Sequence, residues 1–257
     1  MGSELVRQLV ANNAVFFIDN NETAFFDLYE ELKQKGFNIG GKIGDVRDRK
    51  VFDDIPIPDI IFHAAALKHV TPSEWTPLEY VKTNIFGTDN AIDFAQKCGA
   101  KLVNISTDKT VNAESIMGLT KKIAERMVKN AGFISVRFGN VLGSRGSVIP
   151  TWQAQLDRNE PLTITDERMK RYFMSIGEAC RLVIKAAKIG EAGQILILDM
   201  GELKSVKELA LEILKKSSKE SLGIKNIGIR PGETLEEKLM TDEEEKRAVK
   251  NGEFLII

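Results

Sequence analysis

The chain has 257 residues, 43% apolar and 28% charged, which suits one or two folded domains and excludes a disordered polymer. With 36 basic and 37 acidic residues the net charge is −1, so no basic excess points to nucleic acid as the main partner. Two cysteines (Cys98, Cys180) and two histidines (His63, His69) argue against a disulfide scaffold or a His/Cys metal centre, and they favour a reducing, cytoplasmic setting.

In chain order, residues 3–10 are helix-periodic from the start. Residues 14–18 (AVFFI) predict a buried strand. Residues 22–35 follow with an apolar helical stripe of Phe25, Phe26, Leu28, Tyr29 and Leu32, stopped by Gly36. A strand at 59–62 leads to one long helix over 72–97, with Pro72 and Pro77 near its start and Gly99 past its end. A strand at 101–105, a helix at 115–130 and a strand at 133–138 continue the rhythm. This alternation predicts an α/β fold, a doubly wound parallel sheet covered by helices on both faces.

Beyond residue 150 the rhythm loosens. Helices are expected at 149–158, 175–189 and 205–217, strands at 162–164, 194–198 and 226–229, and a charged surface helix at 242–250. Residues 1–150 therefore read as a dinucleotide-binding domain and 151–257 as a smaller substrate lobe. No apolar run approaches the ~20 residues of a membrane helix, and residues 2–7 carry Glu4 with no apolar signal segment after them.

A doubly wound nucleotide fold opens with a strand and a glycine-rich turn. This sequence opens inside the helix, with only Gly2 before it. The expectation is a sheet without its first strand, leaving the edges of two neighbours exposed. The reading adopted is an otherwise ordinary enzyme shortened at its start.

The chemistry-bearing residues sit at the carboxyl ends of the strands, where open α/β sheets bind ligands. Asp19 follows the 14–18 strand, where a carboxylate can bind the ribose hydroxyls and repel a 2′-phosphate; a turn or helix cap explains it equally well. Asp45 and Val46 in GDVRD can take the adenine, or Asp45 can simply cap a short helix. Ala64, Ala65 and Ala66 let backbone approach a ligand closely, and Lys68 and His69 follow at the mouth. His63 reads as a packed strand-end residue rather than a catalyst. Thr107, Asp108 and Lys109 supply a hydroxyl, an acid and a base in a row. Met117 and Lys121 are four apart and share one helix face. The loop over 138–148 carries three glycines and Arg145, and can present N–H groups to phosphate. Arg171, Arg230 and Glu233 can clamp a diphosphate and ribose, or be ordinary surface charges.

Together the segments GSELVRQL (2–9), GDVRD (44–48), FHAAALKHV (62–70), STDKTVN (106–112), MGLTKK (117–122), VRFGNVLGSRGSV (136–148), RYFMSIGEA (171–179) and RPGE (230–233) resemble the extended short-chain dehydrogenase/reductases of polysaccharide biosynthesis. The subgroup they resemble is the capsular-type UDP-N-acetylglucosamine 4,6-dehydratases. The resemblance implies a Rossmann-like NAD site, a UDP-sugar substrate, a 4-keto-6-deoxy product and a homodimer formed through the long helices at 72–97 and 115–130. NAD is favoured over NADP.

Residue by residue, it implies that Gly2, Asp19, Asp45, Val46, Ala64, Ala65, Ala66, Lys68, Asn84 and Lys121 bind the cofactor. Lys68, Asn140, Ser147, Val148, Arg171, Arg230 and Glu233 would hold the UDP-sugar. Met117 stands where most short-chain dehydrogenases carry a proton-relaying tyrosine, and methionine has no proton to relay. The resemblance shifts that work to Thr107, which orients the sugar hydroxyl, to Asp108 for the C4-hydroxyl and C6-oxygen protons, and to Lys109 as base at C5. Ala113 and Thr234 depart from a common proline and lysine. A 4-epimerase or C5-inverting dehydratase of the same fold, and a non-catalytic nucleotide-sugar-binding protein, are the competing readings.

Overall fold

The computed structural model describes residues 1–144 and 146–257; Arg145 lies outside them. Helix α1 (Gly2–Leu9) leads to strand β1 (Val15–Asp19), helix α2 (Glu22–Gln34) and strand β2 (Ile39–Ile43), which pairs parallel with β1. Asn21 starts α2 because its side-chain oxygen accepts the Ala24 N–H at 2.8 Å. Strand β3 (Ile60–His63) follows.

The single helix expected over 72–97 is broken into helices α3 (Val70–Trp75) and α4 (Pro77–Tyr80), a wide π-helical turn (Val81–Phe86) and α5 (Gly87–Cys98). The break falls at Thr76, whose φ of −131° and ψ of 54° are non-helical. Pro77 removes an N–H and crowds the residue before it, so the helix stops and restarts. Gly99 ends α5 with a φ of 73°, where a side chain would be strained.

Strand β4 (Lys101–Ile105), helix α6 (Ile116–Asn130) and strand β5 (Ile134–Arg137) complete the first half. Then come β6 (Asn140–Leu142), α7 (Val148–Asp157), β7 (Leu162–Ile164), β8 (Lys170–Arg171), β9 (Phe173–Ser175), α8 (Ile176–Ile189) and β10 (Ile195–Leu198). The chain closes with β11 (Lys204–Ser205), α9 (Val206–Lys216), β12 (Ile224–Asn226), α10 (Asp242–Glu245), β13 (Val249–Asn251) and β14 (Phe254–Ile256). The strand expected at 226–229 lies earlier, at β12. The helix expected over 242–250 is only the four residues of α10, and the chain then turns into the β13–β14 hairpin. That hairpin is set by Phe254, fully buried against the main core.

The fold is α/β with a mostly parallel sheet in the order β13-β14-β10-β5-β4-β3. Strands β10, β5, β4 and β3 are parallel, and β14 and β13 add antiparallel at one edge. Strands β1 and β2 form a separate two-stranded sheet, and no ladder joins β1 to β3 among the described residues. Between these two edges lies a cleft of about 2650 Å³, lined on one side by Phe16, Phe17 and Ile18 and on the other by Ile60, Ile61 and Phe62.

Two apolar cores hold the rest. The larger joins β4, β5, β10, α8 and β14, so α8 and β10 return to the first half of the fold. The smaller gathers α7, β7, α9 and β12 around Trp152, whose indole N–H donates to the Thr163 carbonyl at 2.8 Å. That lobe stands at the carboxyl end of β5 and carries the chain back over the strand ends.

Candidate active site

Strand β4 ends at Ile105, and the backbone turns at once. The Ser106 N–H donates to the Val136 carbonyl at 2.7 Å and the Asp108 N–H to the Phe138 carbonyl at 3.0 Å. These bonds fix a short 3₁₀ turn that places Thr107, Asp108 and Lys109 side by side. The Thr107 hydroxyl donates to Asp108 Oδ1 at 2.9 Å, and Lys109 Nζ donates to the same oxygen at 3.0 Å. Lys109 Nζ also reaches Asn140 Oδ1 at 3.4 Å and Glu237 Oε1 at 3.5 Å.

Glycines make the close packing possible. A Cβ on Gly118 would sit 2.5 Å from the Lys109 carbonyl, and one on Gly139 would sit 2.8 Å from Tyr172 Cβ and 3.1 Å from Asp108 Oδ2.

Burial works against the charge of Lys109, but Asp108 and Glu237 outweigh it and hold the ammonium above the usual lysine range. Lys121 behaves oppositely. It is 6% exposed, and burial, only partly offset by Glu125, pulls it down to about 8. Its Nζ donates to the Ile105 carbonyl at 2.6 Å, so it is fixed at the end of β4. Met117 lies one turn earlier on the same helix, 2% exposed, with its N–H donating to Ser73 Oγ at 3.2 Å.

Thr107, Lys109, Met117 and Lys121 all face the cleft, as do Gly2, Asp19, Asp45, Val46, Ala64, Ala65, Ala66, Lys68, Asn140, Ser147, Arg230 and Glu233. Asp108, Asn84, Val148 and Arg171 do not line it. Asp108 stands behind Thr107 and Lys109, its side chain fully buried. Asn84 is closed to water: its side chain accepts the Leu67 N–H at 2.8 Å and donates to the Leu67 carbonyl and to Thr120 Oγ1. It pins the alanine loop rather than reaching into the cleft. Arg171 donates to the carbonyls of Lys170, Thr234 and Leu235, holding the segment after Arg230 in place.

The turn role weighed for Asp19 is present alongside its position in the cleft, whereas the helix cap weighed for Asp45 falls to Asp48, whose side chain accepts the Lys50 N–H at 3.0 Å. Asp19 Oδ1 accepts the Asn21 N–H at 2.8 Å. Asp45 Oδ2 pairs with Arg47 at 2.6 Å, which holds the carboxyl below its ordinary range. His63 is buried, with Nε2 3.0 Å from Thr88 Oγ1. The Thr88 hydroxyl gives its proton to the Asn84 carbonyl, so His63 Nε2 is the donor. Burial, then Lys121, pushes this imidazole down to about 3.

Several buried polar atoms have no partner among the described residues: Asp108 Oδ2, Asn140 Nδ2, Ser147 Oγ and Thr234 Oγ1 in this region, and Asn104 Oδ1 within the sheet. Each such atom costs on the order of 1–3 kcal/mol. Asn140 and Ser147 face the cleft, so their orphaned groups suit a polar ligand there. Sequence reasoning missed Glu237, which lies in an acidic stretch that reads as surface. It also missed the buried network of Ser106, Glu125, Arg137 and Glu244.

A family model described as "Polysaccharide biosynthesis protein" matches residues 1–257. An uncharacterised membrane protein of Methanocaldococcus jannaschii is 42% identical, over 95% of this chain and 78% of its own length. The capsular polysaccharide biosynthesis protein CapD of Staphylococcus aureus is 38% identical over 95% of this chain, which spans only 44% of it. A UDP-glucose 4-epimerase of Rickettsia canadensis is 36% identical over 82% of this chain and 65% of the relative. Among solved structures, Pen from Bacillus thuringiensis matches with a TM-score of 0.95 at 36% identity, covering all of this chain and 84% of that one. DesIV of Streptomyces venezuelae, a dTDP-glucose 4,6-dehydratase solved with NAD, shares the fold at a TM-score of 0.83 and 20% identity, covering 96% of this chain and 87% of that one. Among the described residues, no helix is long and apolar enough to cross a membrane.

Proposed function

The chain belongs to the polysaccharide biosynthesis protein family, and from that premise we propose that it is a cytoplasmic, homodimeric nucleotide-sugar 4,6-dehydratase. Its substrate in this reading is a UDP-N-acetylhexosamine, UDP-N-acetylglucosamine first, and its product the 4-keto-6-deoxy sugar. The observation that carries the reading is the Thr107–Asp108–Lys109 cluster at the end of β4, beside Lys121, on a helix with methionine at 117.

The residues present fit NAD. The cleft runs from Asp19 and Asp45 at the ends of β1 and β2, past the small Ala64–Ala66 step, to Thr107 and Lys121. A carboxylate at Asp19 suits a ribose diol and repels a 2′-phosphate, which favours NAD over NADP. Bound there, NAD would supply a hydride acceptor for the sugar C4 and a hydride donor for C6 after water has left.

The protein's own groups move the protons. Thr107 orients the 4-hydroxyl and relays its proton, because its Oγ1 touches both the cleft and Asp108. Lys109 carries its proton at rest, so as a resting ammonium it cannot take another. The 4-hydroxyl proton passes through Thr107 to Asp108 Oδ1, and Asp108 later gives it back through Thr107 to the departing C6 oxygen. Lys109, whose Nζ lies 3.0 Å from the same oxygen, first releases its proton to solvent at the cleft; its amine then takes the C5 proton and returns one to C5 once C6 is reduced. Asn140, Ser147, Lys68, Arg230 and Glu233 form the UDP-sugar side, Val148 packs behind them on the smaller core, and Arg171 braces the Arg230–Glu233 turn from behind.

Incubation with UDP-N-acetylglucosamine and NAD tests this. Mass spectrometry should show a product lighter by one water, and heavy water should label C5. A product isobaric with the substrate would instead establish the 4-epimerase reading, which the similarity to UDP-glucose 4-epimerases favours and Met117 opposes. UDP binding with neither product would leave the non-catalytic reading.

A further inference from the structure

Lys109 Nζ has three hydrogen-bond donors and three side-chain oxygens around it: Asp108 Oδ1 at 3.0 Å, Asn140 Oδ1 at 3.4 Å and Glu237 Oε1 at 3.5 Å. Glu237 comes from the segment that follows Arg230, far along the chain from the other two. Its Oε1 also lies 3.7 Å from Arg171 Nε, so one carboxylate oxygen stands between two cations. Glu237 and Arg171 are each 11% exposed and Lys109 is 21% exposed, so water screens this cluster weakly.

The charged groups around Lys109 therefore come from three places: Asp108 from its own turn, Arg171 from β8 and Glu237 from residues 230–241, the strap that leads to α10. Two carboxylates and two cations balance. Without Glu237 the cluster would carry one uncompensated positive charge.

We infer that Glu237 is a positioning residue of the Asp108–Lys109 pair, holding the ammonium against Asp108 and setting how readily the lysine gives up its proton. The inference rests on the dehydratase reading only for its consequence, since the contact itself needs no substrate. Glu237 keeps Lys109 charged in the free protein, and Arg171 on its far side moderates that hold. The strap that carries Arg230 and Glu233 is thereby tied to the group that handles protons.

The test is competitive acetylation of the intact protein with acetic anhydride at pH 8, read peptide by peptide by mass spectrometry. Only the neutral amine reacts. Glu237→Gln should raise the labelling rate of Lys109 about tenfold or more, the effect of losing one adjacent charge. Glu237→Asp should restore most of the wild-type rate, and Arg171→Gln should shift the rate the opposite way. Lys121, held at about 8, is the internal reference, and its rate should be the same in wild type and variants. An unchanged Lys109 rate in Glu237→Gln, or a rise shared with Lys121, overturns the proposal. Product analysis on the same samples separates the two claims: a labelling shift without dehydration sinks the enzymatic reading alone, and dehydration without a labelling shift sinks this inference alone.

Discussion

Arg137 and Glu125 form an ion pair at 2.6 Å with both side chains nearly closed to water, 3% and 5% exposed. The guanidinium reaches across to Glu244 at 2.8 Å and donates to the Leu239 carbonyl at 3.0 Å. On the other side, Glu125 accepts the Ser106 hydroxyl at 2.6 Å. One arginine thus connects the residue before Thr107 with the far end of the strap that carries Glu237. Arg137→Met would take from two largely buried carboxylates the guanidinium that bonds both. The expected loss is about 3–5 kcal/mol in urea unfolding, the usual result of removing one partner from a buried pair. A loss of a few tenths would mean that water already reaches the network.

Asp108 and Lys109 each carry a proton in the proposed chemistry, so neither can be replaced by a group that cannot carry one. Asp108→Asn and Lys109→Met should each lower dehydration by about 10²–10⁴-fold. Binding of UDP, followed by calorimetry, should survive both, because neither side chain belongs to the proposed nucleotide clamp. Full turnover in either variant removes that residue from the mechanism.

His63 gives the fold an acid limit with a defined sign. Its ordinary value is 6.5, and burial lowers it to about 3 in the folded chain. Between those values the unfolded chain binds a proton that the folded chain refuses, so stability falls as the pH drops below 6.5. The slope from this one group approaches about 1.4 kcal/mol per pH unit. The ion-paired carboxylates Glu31 and Glu253, held at about 2, add their own loss only from near their ordinary value of 4.5 downward. His63→Gln keeps a donor for Thr88 and removes the titration. Urea midpoints of the variant should therefore decline less than wild type between pH 6.5 and 4.5. Parallel curves over that window would show that His63 is protonated in the folded state.

The fold was legible wherever one period governed a segment. The runs 14–18, 59–62 and 101–105 are short, apolar and flanked by turns, and all became strands. The ends misled where tertiary contacts decide. Residues 242–250 read as a charged surface helix, yet Phe254 finds the main core and draws the end of that stretch into a hairpin. At the site, motif positions placed most of the cleft lining, because strand ends and the first residues after them converge in any open α/β sheet. Asn84 faces the alanine loop instead, since the π-helical turn directs its amide to Leu67. Glu237 left no local trace, because its meaning comes from Lys109 and Arg171, which only the folded chain brings beside it.

Leu78 and Phe86, at 68% and 55% exposed, lie along the broken helix, and Leu119 and Ile123, at 41% and 45%, lie one turn apart on the neighbouring α6. Exposed large apolar groups gathered on adjacent helices mark an association surface. The proposed homodimer uses it. Leu119→Glu with Ile123→Glu should convert the dimer to monomer in analytical ultracentrifugation with an unchanged circular dichroism spectrum. A wild-type monomer at micromolar concentration would rule this assembly out.

The divided sheet sets the last expectation. Strand β4 is paired on both sides, by β3 and β5, and Leu102 and Val103 on it are fully buried. Among the described residues strand β1 pairs only with β2, and β3 only with β4, so each presents one row of backbone groups to the cleft. Phe16 and Ile60 on those strands are 36% and 40% exposed, so their side chains add little burial to hold the edges shut. Amides with one ladder partner and a weakly packed face open at low free energy, whereas those in a doubly paired, buried strand wait for global unfolding. Hydrogen exchange read by mass spectrometry should therefore show peptides spanning β1 exchanging well before those spanning β4 and β5, with β3 in between. Equal protection of β1 and β4 would mean that the two sheets open as one cooperative unit and that the β1 edge is covered in solution.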